Sequence, residues 1–381
     1  MAAPGAAQVA VTLPSSSNTS DTNALLAAML HACDQISDLI FSPGCTPQVE
    51  VNGQLLPVQA PGMRPLTADD TRRIASDLIG GNKQAINMLR EQGSCDVSFG
   101  LPGLARFRVN VFIQRGSCAI VMRVIPTVIP DFHSLGLPTQ LEEVATLRDG
   151  IVLVTGPRGS GKSSTLAALI DRINELQTCH ILTIEDPIEF LHKHKRAMVH
   201  QRELHSDVPN YGVAIHAAMR QAPNVIFVGE IRDRETTEMV LDAAETGHLV
   251  LSSLNTVDAA KTVDRIAGAF SHSEQPSIRA RLSKTLRYVI SQRLLPRKNG
   301  KGQVAAIEVL HVTPSVLELL QHENNSGENL LHAMKEGAAQ GMQHFDGEIA
   351  KLVRTGVVNA ETAMSYATDP RELHQVLGKP E

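Results

Sequence analysis

The stretch that most constrains this chain is residues 150–163, GIVLVTGPRGSGKS, where Gly156, Gly161, Lys162 and Ser163 satisfy the phosphate-loop spacing G-x-x-x-x-G-K-[ST]. Its surroundings are those the pattern requires. Ile151 to Val154 is a short β-branched apolar run, suited to a buried parallel strand. After the loop, Leu166, Leu169, Ile170 and Ile173 share one helical face. Backbone N–H groups of a glycine-rich turn and of a helix N-terminus converge on an anion, so the segment is predicted to hold phosphates. Gly156, Pro157, Arg158, Gly159, Ser160, Gly161, Lys162, Ser163 and Ser164 are the expected nucleotide contacts. Lys162 would reach the β/γ-phosphates of ATP, and the Ser163 hydroxyl would hold Mg²⁺.

Beyond the loop, apolar β-runs alternate with helical patterns, the order of a parallel α/β sheet. Strand Ile181–Ile184 would deliver Glu185, Asp186 and Glu189; strand Val225–Val228 would deliver Glu230; strand Leu249–Leu254 is flanked by His248 and Asn255. Ligands in such sheets bind beyond the carboxyl ends of the strands, so these residues are expected to face the phosphate loop. Glu230, after a short apolar strand and Gly229, has the position of a Walker-B carboxylate beside Mg²⁺ and the attacking water. Glu185 is the second candidate, and which of the two takes the water proton stays open. His248 is read as ending a loop at the nucleotide edge, where it either senses the γ-phosphate or bonds another strand. His192, His194, His200 and His205 match no compact zinc spacing and read as solvated loop histidines.

The rest of the chain organises around this core. Residues 1–22 are small and Ser/Thr/Asn-rich, and read as a disordered tail. Leu25, Leu26, Met29, Leu30, Cys33 and Ile36 follow a helical spacing; PQVEVNGQLLPV reads as a hairpin turning on Asn52-Gly53. Thr67 and Asp70 form a capping box before the next helix. In ARFRVNVFIQRG, strict alternation sets Phe107, Val109, Val111 and Ile113 on one strand face and Arg106, Arg108 and Asn110 on the other; the return strand carries Arg123. Those guanidinium groups are either a solvated face or arginine fingers for a neighbouring subunit's phosphates. The Pro-rich stretch PTVIPDFHSLGLP reads as an interdomain linker, and domain boundaries are expected at 23–133, a linker over 134–149, an ATPase core over 150–312 closed by a hairpin near Asn299-Gly300, and a helical region over 313–381.

Composition excludes some classes. The net charge of −5, 3% aromatic content and absence of Trp provide neither the basic stripe nor the stacking platform of a nucleic-acid motor. Five scattered cysteines without a C-x-x-C suggest reduced thiols and a cytoplasmic setting. No apolar run approaches the roughly 18 residues that span a bilayer, and no secretory signal is evident. Any membrane association is therefore expected through a partner.

Taken together, the motifs resemble the secretion ATPase superfamily, and within it the PilT-type retraction ATPases of type IV pili. SDLIFSPGCTPQVEVNGQL is similar to the family's opening, LPGLARFRVNVFIQRG to its arginine strand and ILTIEDPIEF to its acidic box. VGEIRDRET is similar to its Walker B, and AAETGHLVLSSLNTVDAAKTVDRI to its histidine box. The likeness runs from about Ser37 to Thr368. It implies a PAS-like N-terminal α+β domain, a RecA-like ATPase domain, a small helical C-terminal subdomain and a homo-hexamer driving pilus retraction and twitching motility. It also implies trans arginines, with Arg106, Arg108, Arg115 and Arg123 as candidates and Arg108 and Arg123 preferred. Glu185, Glu230 and His248 carry over as catalytic positions, with Ser163 and Glu230 on the metal. The partner implied is an inner-membrane platform protein. Three departures stand out: Asn255 replaces a histidine, Arg158 replaces a common Thr, and VTPSVLELLQ replaces an AIRNL-like signature. A type II/IV secretion ATPase, or a weakly active accessory paralogue beside a main retraction ATPase, fits the same motifs.

Overall fold

The computed structural model describes residues 9–12, 21–33, 36–321 and 327–378. The chain divides into two units, residues 1–127 and 128–381.

The first unit begins with β1 (Val9–Ala10), which pairs in parallel with β4 (Gln54–Gln59). Val9 and Val11 are buried, so the expected tail is structured at this point; the remainder of it up to Ser20 lies outside the described residues. The Asp21 carboxylate accepts the Asn23 and Ala24 N–H groups at 3.0 and 3.2 Å and caps α1 (Thr22–Ala32). The helical spacing of Ile36 misleads: α1 ends at Ala32 and Ile36 opens β2 (Ile36–Phe41). The hairpin of β3 (Gln48–Val51) and β4 turns where expected, with Asn52 and Gly53 both left-handed at φ 52° and 77°. The Thr67–Asp70 capping box starts α2 (Ala68–Ile79), and α3 (Lys83–Gln92) follows. Strands β5 (Ser94–Leu101), β6 (Ala105–Gln114) and β7 (Ser117–Ile125) complete the sheet order β1-β4-β3-β2-β7-β6-β5. Phe107, Val109 and Val111 are fully buried as the alternation requires. Ile113 is 45% exposed, because it stands at the turn, past the reach of the core.

The second unit is built on a sheet of order β10-β9-β11-β12-β8-β13-β14. Its strands are β8 (Gly150–Thr155), β9 (His180–Glu185), β10 (Met198–Glu203), β11 (Val225–Val228), β12 (Leu249–Leu254), β13 (Leu286–Pro296) and β14 (Gln303–His311). All neighbouring pairs are parallel except the closing β13–β14 hairpin. Before β8 come α4 (Phe132–Leu135) and a 3₁₀ segment, Thr139–Thr146. The helices between strands are α5 (Lys162–Leu176), α6 (Tyr211–Ala218), α7 (Arg234–Glu245), α8 (Ala259–Ala267) and α9 (Gln275–Thr285). Strand β8 is buried on both faces: Ile151 and Leu153 join the cluster under α6 to α9, whereas Val152 and Val154 join that under α5. This is why its sequence is continuously apolar rather than alternating.

The segment read as a linker is part of this unit. Leu137, Leu141, Val144 and Ala145 are buried against Leu166, Leu169 and Ile173 of α5, and Gln177 donates to the Ala145 carbonyl at 2.7 Å. Pro126, Pro130 and Pro138 suggested a spacer, but the leucines of the segment find a helix to cover. C-terminally, α10 (Pro314–Gln321) and α11 (Gly327–Glu336) extend the cluster under α6 to α9. Helices α12 (Phe345–Arg354), α13 (Ala360–Tyr366) and α14 (Pro370–Gly378) cover the β13–β14 hairpin through Phe345, Ile349, Ala363 and Leu373. Among the described residues no helix is long and apolar enough to cross a membrane.

Candidate active site

Parallel register brings the strand ends together. Thr155 lies opposite Leu254, Val228 opposite Ser252 and Ile184. The residues that follow each strand therefore leave the sheet at one edge, around a cleft of about 530 Å³. Arg158, Gly159, Ser160, Gly161, Lys162, Ser163 and Ser164 line it, together with Glu185, Asp186, Glu189, Glu230, Arg232 and Asn255.

The phosphate loop needs its glycines for two different reasons. Gly159 and Gly161 take left-handed backbone at φ 77° and 89°, and Gly161 caps α5 with no side chain over the first N–H groups. At Gly156, φ is 148° and a Cβ would stand 2.5 Å from the Gln292 carbonyl oxygen of β13, so no side chain fits. Lys162 donates to the Gly156 and Pro157 carbonyls at 2.8 and 2.9 Å. Gly156 and Pro157 thus serve the loop through their carbonyls and do not themselves line the cleft. Burial lowers the Lys162 ammonium pKa, the carboxylates of Glu230 and Glu189 oppose that, and Arg158 adds to it. The Ser160 hydroxyl is buried and has no hydrogen-bond partner among the described residues. An anion-seeking helix end, a cation and an unspent hydroxyl fit a polyphosphate.

Opposite the loop, Arg232 ties two carboxylates together. Its Nε donates to Glu230 at 2.8 Å and its Nη1 to Asp186 at 3.1 Å. The other Glu230 oxygen accepts from the Asn255 amide. Asn255 thus engages Glu230 directly at the position of the departure noted in the sequence. Glu185 is different in kind: it is 7% exposed and accepts from the Thr183 hydroxyl at 2.5 Å and the Gln201 amide at 3.0 Å. Burial pushes its carboxyl up to about 7 despite those donors. For Mg²⁺, which takes one or two protein oxygens and completes its shell with water and phosphate, Ser163 and Glu230 in one cleft are a fitting donor set.

His248 is not among the cleft residues. Strand β12 runs away from it, and its carbonyl accepts from Gly150 N–H at 3.1 Å at the amino ends of β12 and β8. A six-residue strand, about 20 Å long at ~3.3 Å per residue, separates it from Asn255. Its Nδ1 bonds the Ala243 carbonyl at 2.9 Å, so it holds a turn. The expectation erred by placing both flanks of one strand at the same edge. His192 errs the other way. Read as solvated, it lines the cleft, and burial lowers its pKa to about 4, so it is neutral. Arg108 and Arg123 belong to the first unit, directly opposite each other on β6 and β7. Arg123 bonds the buried Asp38 at 3.1 Å, and Arg108 stands 4.0 Å from Asp96.

Arg232, Gln201 and Tyr211 are cleft or supporting residues that sequence reasoning assigned no role. For Arg232 a signal existed in the sequence, a cation two residues beyond Glu230.

Comparison with known proteins places these residues in a family context. The family model described as type II/IV secretion system protein matches residues 91–365. A twitching motility protein of Neisseria gonorrhoeae is 41% identical over 329 residues, 86% of each chain. The type IV pilus retraction ATPase PilT of Pseudomonas aeruginosa is 40% identical over 334 residues, covering 88% of this chain and 95% of its own. Among solved structures, the pilus retraction motor PilT with bound ADP superposes with a TM-score of 0.78 at 40% identity, covering 89% of this chain and 95% of that one.

Proposed function

The chain belongs to the type II/IV secretion system protein family, and on that premise we propose how its cleft performs ATP hydrolysis for pilus retraction. The protein is an ATPase of the pilus-retraction type. The observation that carries the mechanism is the meeting of Lys162 and the α5 N-terminus with the Asp186–Arg232–Glu230 array in one cleft. ATP phosphates settle on the loop N–H groups, and Lys162 exchanges the Gly156 and Pro157 carbonyls for phosphate oxygens. Ser163 and Glu230 would hold Mg²⁺, which when bound would supply positive charge against the phosphates. Glu185, with a proton affinity near neutrality, accepts the proton of the attacking water.

The assembly we propose is a homo-hexamer on the cytoplasmic face of the inner membrane, held there by a platform protein of the pilus machine. The first unit serves as its PAS-like domain and the second as its RecA-like domain. Arg108 and Arg123 of one subunit complete the phosphate site of the next, and loss of the γ-phosphate releases them, which turns the domains. A second reading rests on Asn255: an amide on Glu230 cannot relay a proton, which suits a slower, accessory subunit.

Steady-state hydrolysis by the purified protein tests the first reading. Glu230→Gln is expected to lower kcat by about 100-fold or more while ADP still binds. Wild-type turnover that Asn255→His raises severalfold favours the accessory reading. Absence of nucleotide binding removes both.

A further inference from the structure

One row across the second sheet breaks its apolar pattern. Thr155 ends β8, Ser291 lies directly opposite it on β13, and Glu308 lies opposite Ser291 on β14. Thr155 and Ser291 are fully buried and Glu308 is 3% exposed, among the equally buried Ile290, Ile307 and Val309. The Thr155 hydroxyl donates to the Ser291 oxygen at 3.0 Å, and the Ser291 hydroxyl bonds the Glu308 carboxyl. Glu308 Oε1 also accepts the N–H of Ala259, the first residue of α8, at 2.8 Å. Both ends of this row lead to the cleft. Thr155 immediately precedes Gly156 of the phosphate loop, and Ala259 follows Asn255 by four residues. Asn255 in turn donates to Glu230.

Holding a carboxyl there costs the fold. Burial pushes it up to about 7 against the Ala259 N–H; Asp258 adds to the rise, and Arg293 opposes it. A glutamate outside the fold ionises near 4.5, so ionising Glu308 weakens the fold as pH climbs from there through about 7. An uncharged isostere escapes that loss, so stability is not what the carboxyl supplies. We propose that Glu308 is a positioning residue for ATP hydrolysis, its carboxylate tying the end of β8 to the loop of Asn255 so that Glu230 keeps one orientation toward phosphates on the loop. The inference rests on the ATPase reading above.

Glu308→Gln keeps the shape but leaves one accepting oxygen for two donors, the Ala259 N–H and the Ser291 hydroxyl. Expected are a kcat about tenfold lower, an ADP affinity within about twofold of wild type, and a thermal midpoint at about pH 8 no lower than wild type. Ser291→Ala should lower kcat likewise, and the two together should add little, since both break one row. Wild-type kcat in Glu308→Gln overturns the proposal. So does a kcat loss accompanied by a lower thermal midpoint or weaker ADP binding, which marks a residue that only supports the fold, or full additivity with Ser291→Ala. A wild-type protein that binds ADP yet hydrolyses ATP no faster than Lys162→Ala removes the ATPase reading itself, and this inference with it.

Discussion

Glu185 and Glu230 show how two carboxylates from adjacent strands become chemically distinct. Glu230 faces the cleft with a guanidinium on one oxygen and an amide on the other, and so suits a fixed, charged role. Glu185 sits in the sheet with only neutral donors, and burial pushes it up to about 7. A base must be unprotonated to accept a proton, so kcat should rise as pH climbs through about 7 and level off above it. The pH–rate profile of Glu185→Gln should lose that limb along with most of its activity. A wild-type profile flat from pH 6 to 8 (about one unit either side of such a group) would assign the base elsewhere. Asn255 illustrates a related point, because only the fold reveals that the departure from histidine falls on Glu230 itself.

Among elements, the 3₁₀ segment Thr139–Thr146 is the most instructive. It lies inside the second unit, soon after the boundary between the units in sequence, and its apolar side is part of the core that holds α5, the helix whose N-terminus forms the phosphate site. Arg172 of α5 also bonds Glu142 at 2.9 Å, which reinforces the attachment. Leu141 is fully buried, so Leu141→Ala should destabilise the second unit by about 2–5 kcal/mol, read as a lower urea midpoint. A spacer residue at this position would leave the unfolding free energy within about 0.5 kcal/mol of wild type. The capping box of α2 makes the opposite case: Thr67 and Asp70 announce that helix from four residues of sequence, and Arg64 holds the Asp70 carboxyl below its usual range.

For the whole molecule, the division of labour between units frames the motor. The second unit builds the cleft from its own strand ends, and the first carries paired arginines on one sheet face. Under the proposed assembly, a ring of Lys162→Ala subunits and a ring of Arg108→Ala/Arg123→Ala subunits should each be inactive. Mixed before assembly, the two variants would form some boundaries with both defects and others with neither. Hydrolysis by the mixture well above either parent is the expected result. A mixture no more active than the average of its parents would remove the trans role of these arginines.

Much of this protein was legible in its sequence because the information was local. The phosphate loop, the β3–β4 turn, the α2 cap and the strand-to-acid order of Glu185 and Glu230 each depend on spacing within a few residues, where backbone rules act directly. Tertiary structure decided what depends on strand direction and burial. It put His248 at the far edge of the sheet and drew His192 into the cleft. It gave Arg232 two carboxylates separated by 44 residues in sequence from one another. A strand has two ends and a residue has neighbours from other strands, and neither fact is written in the order of the chain.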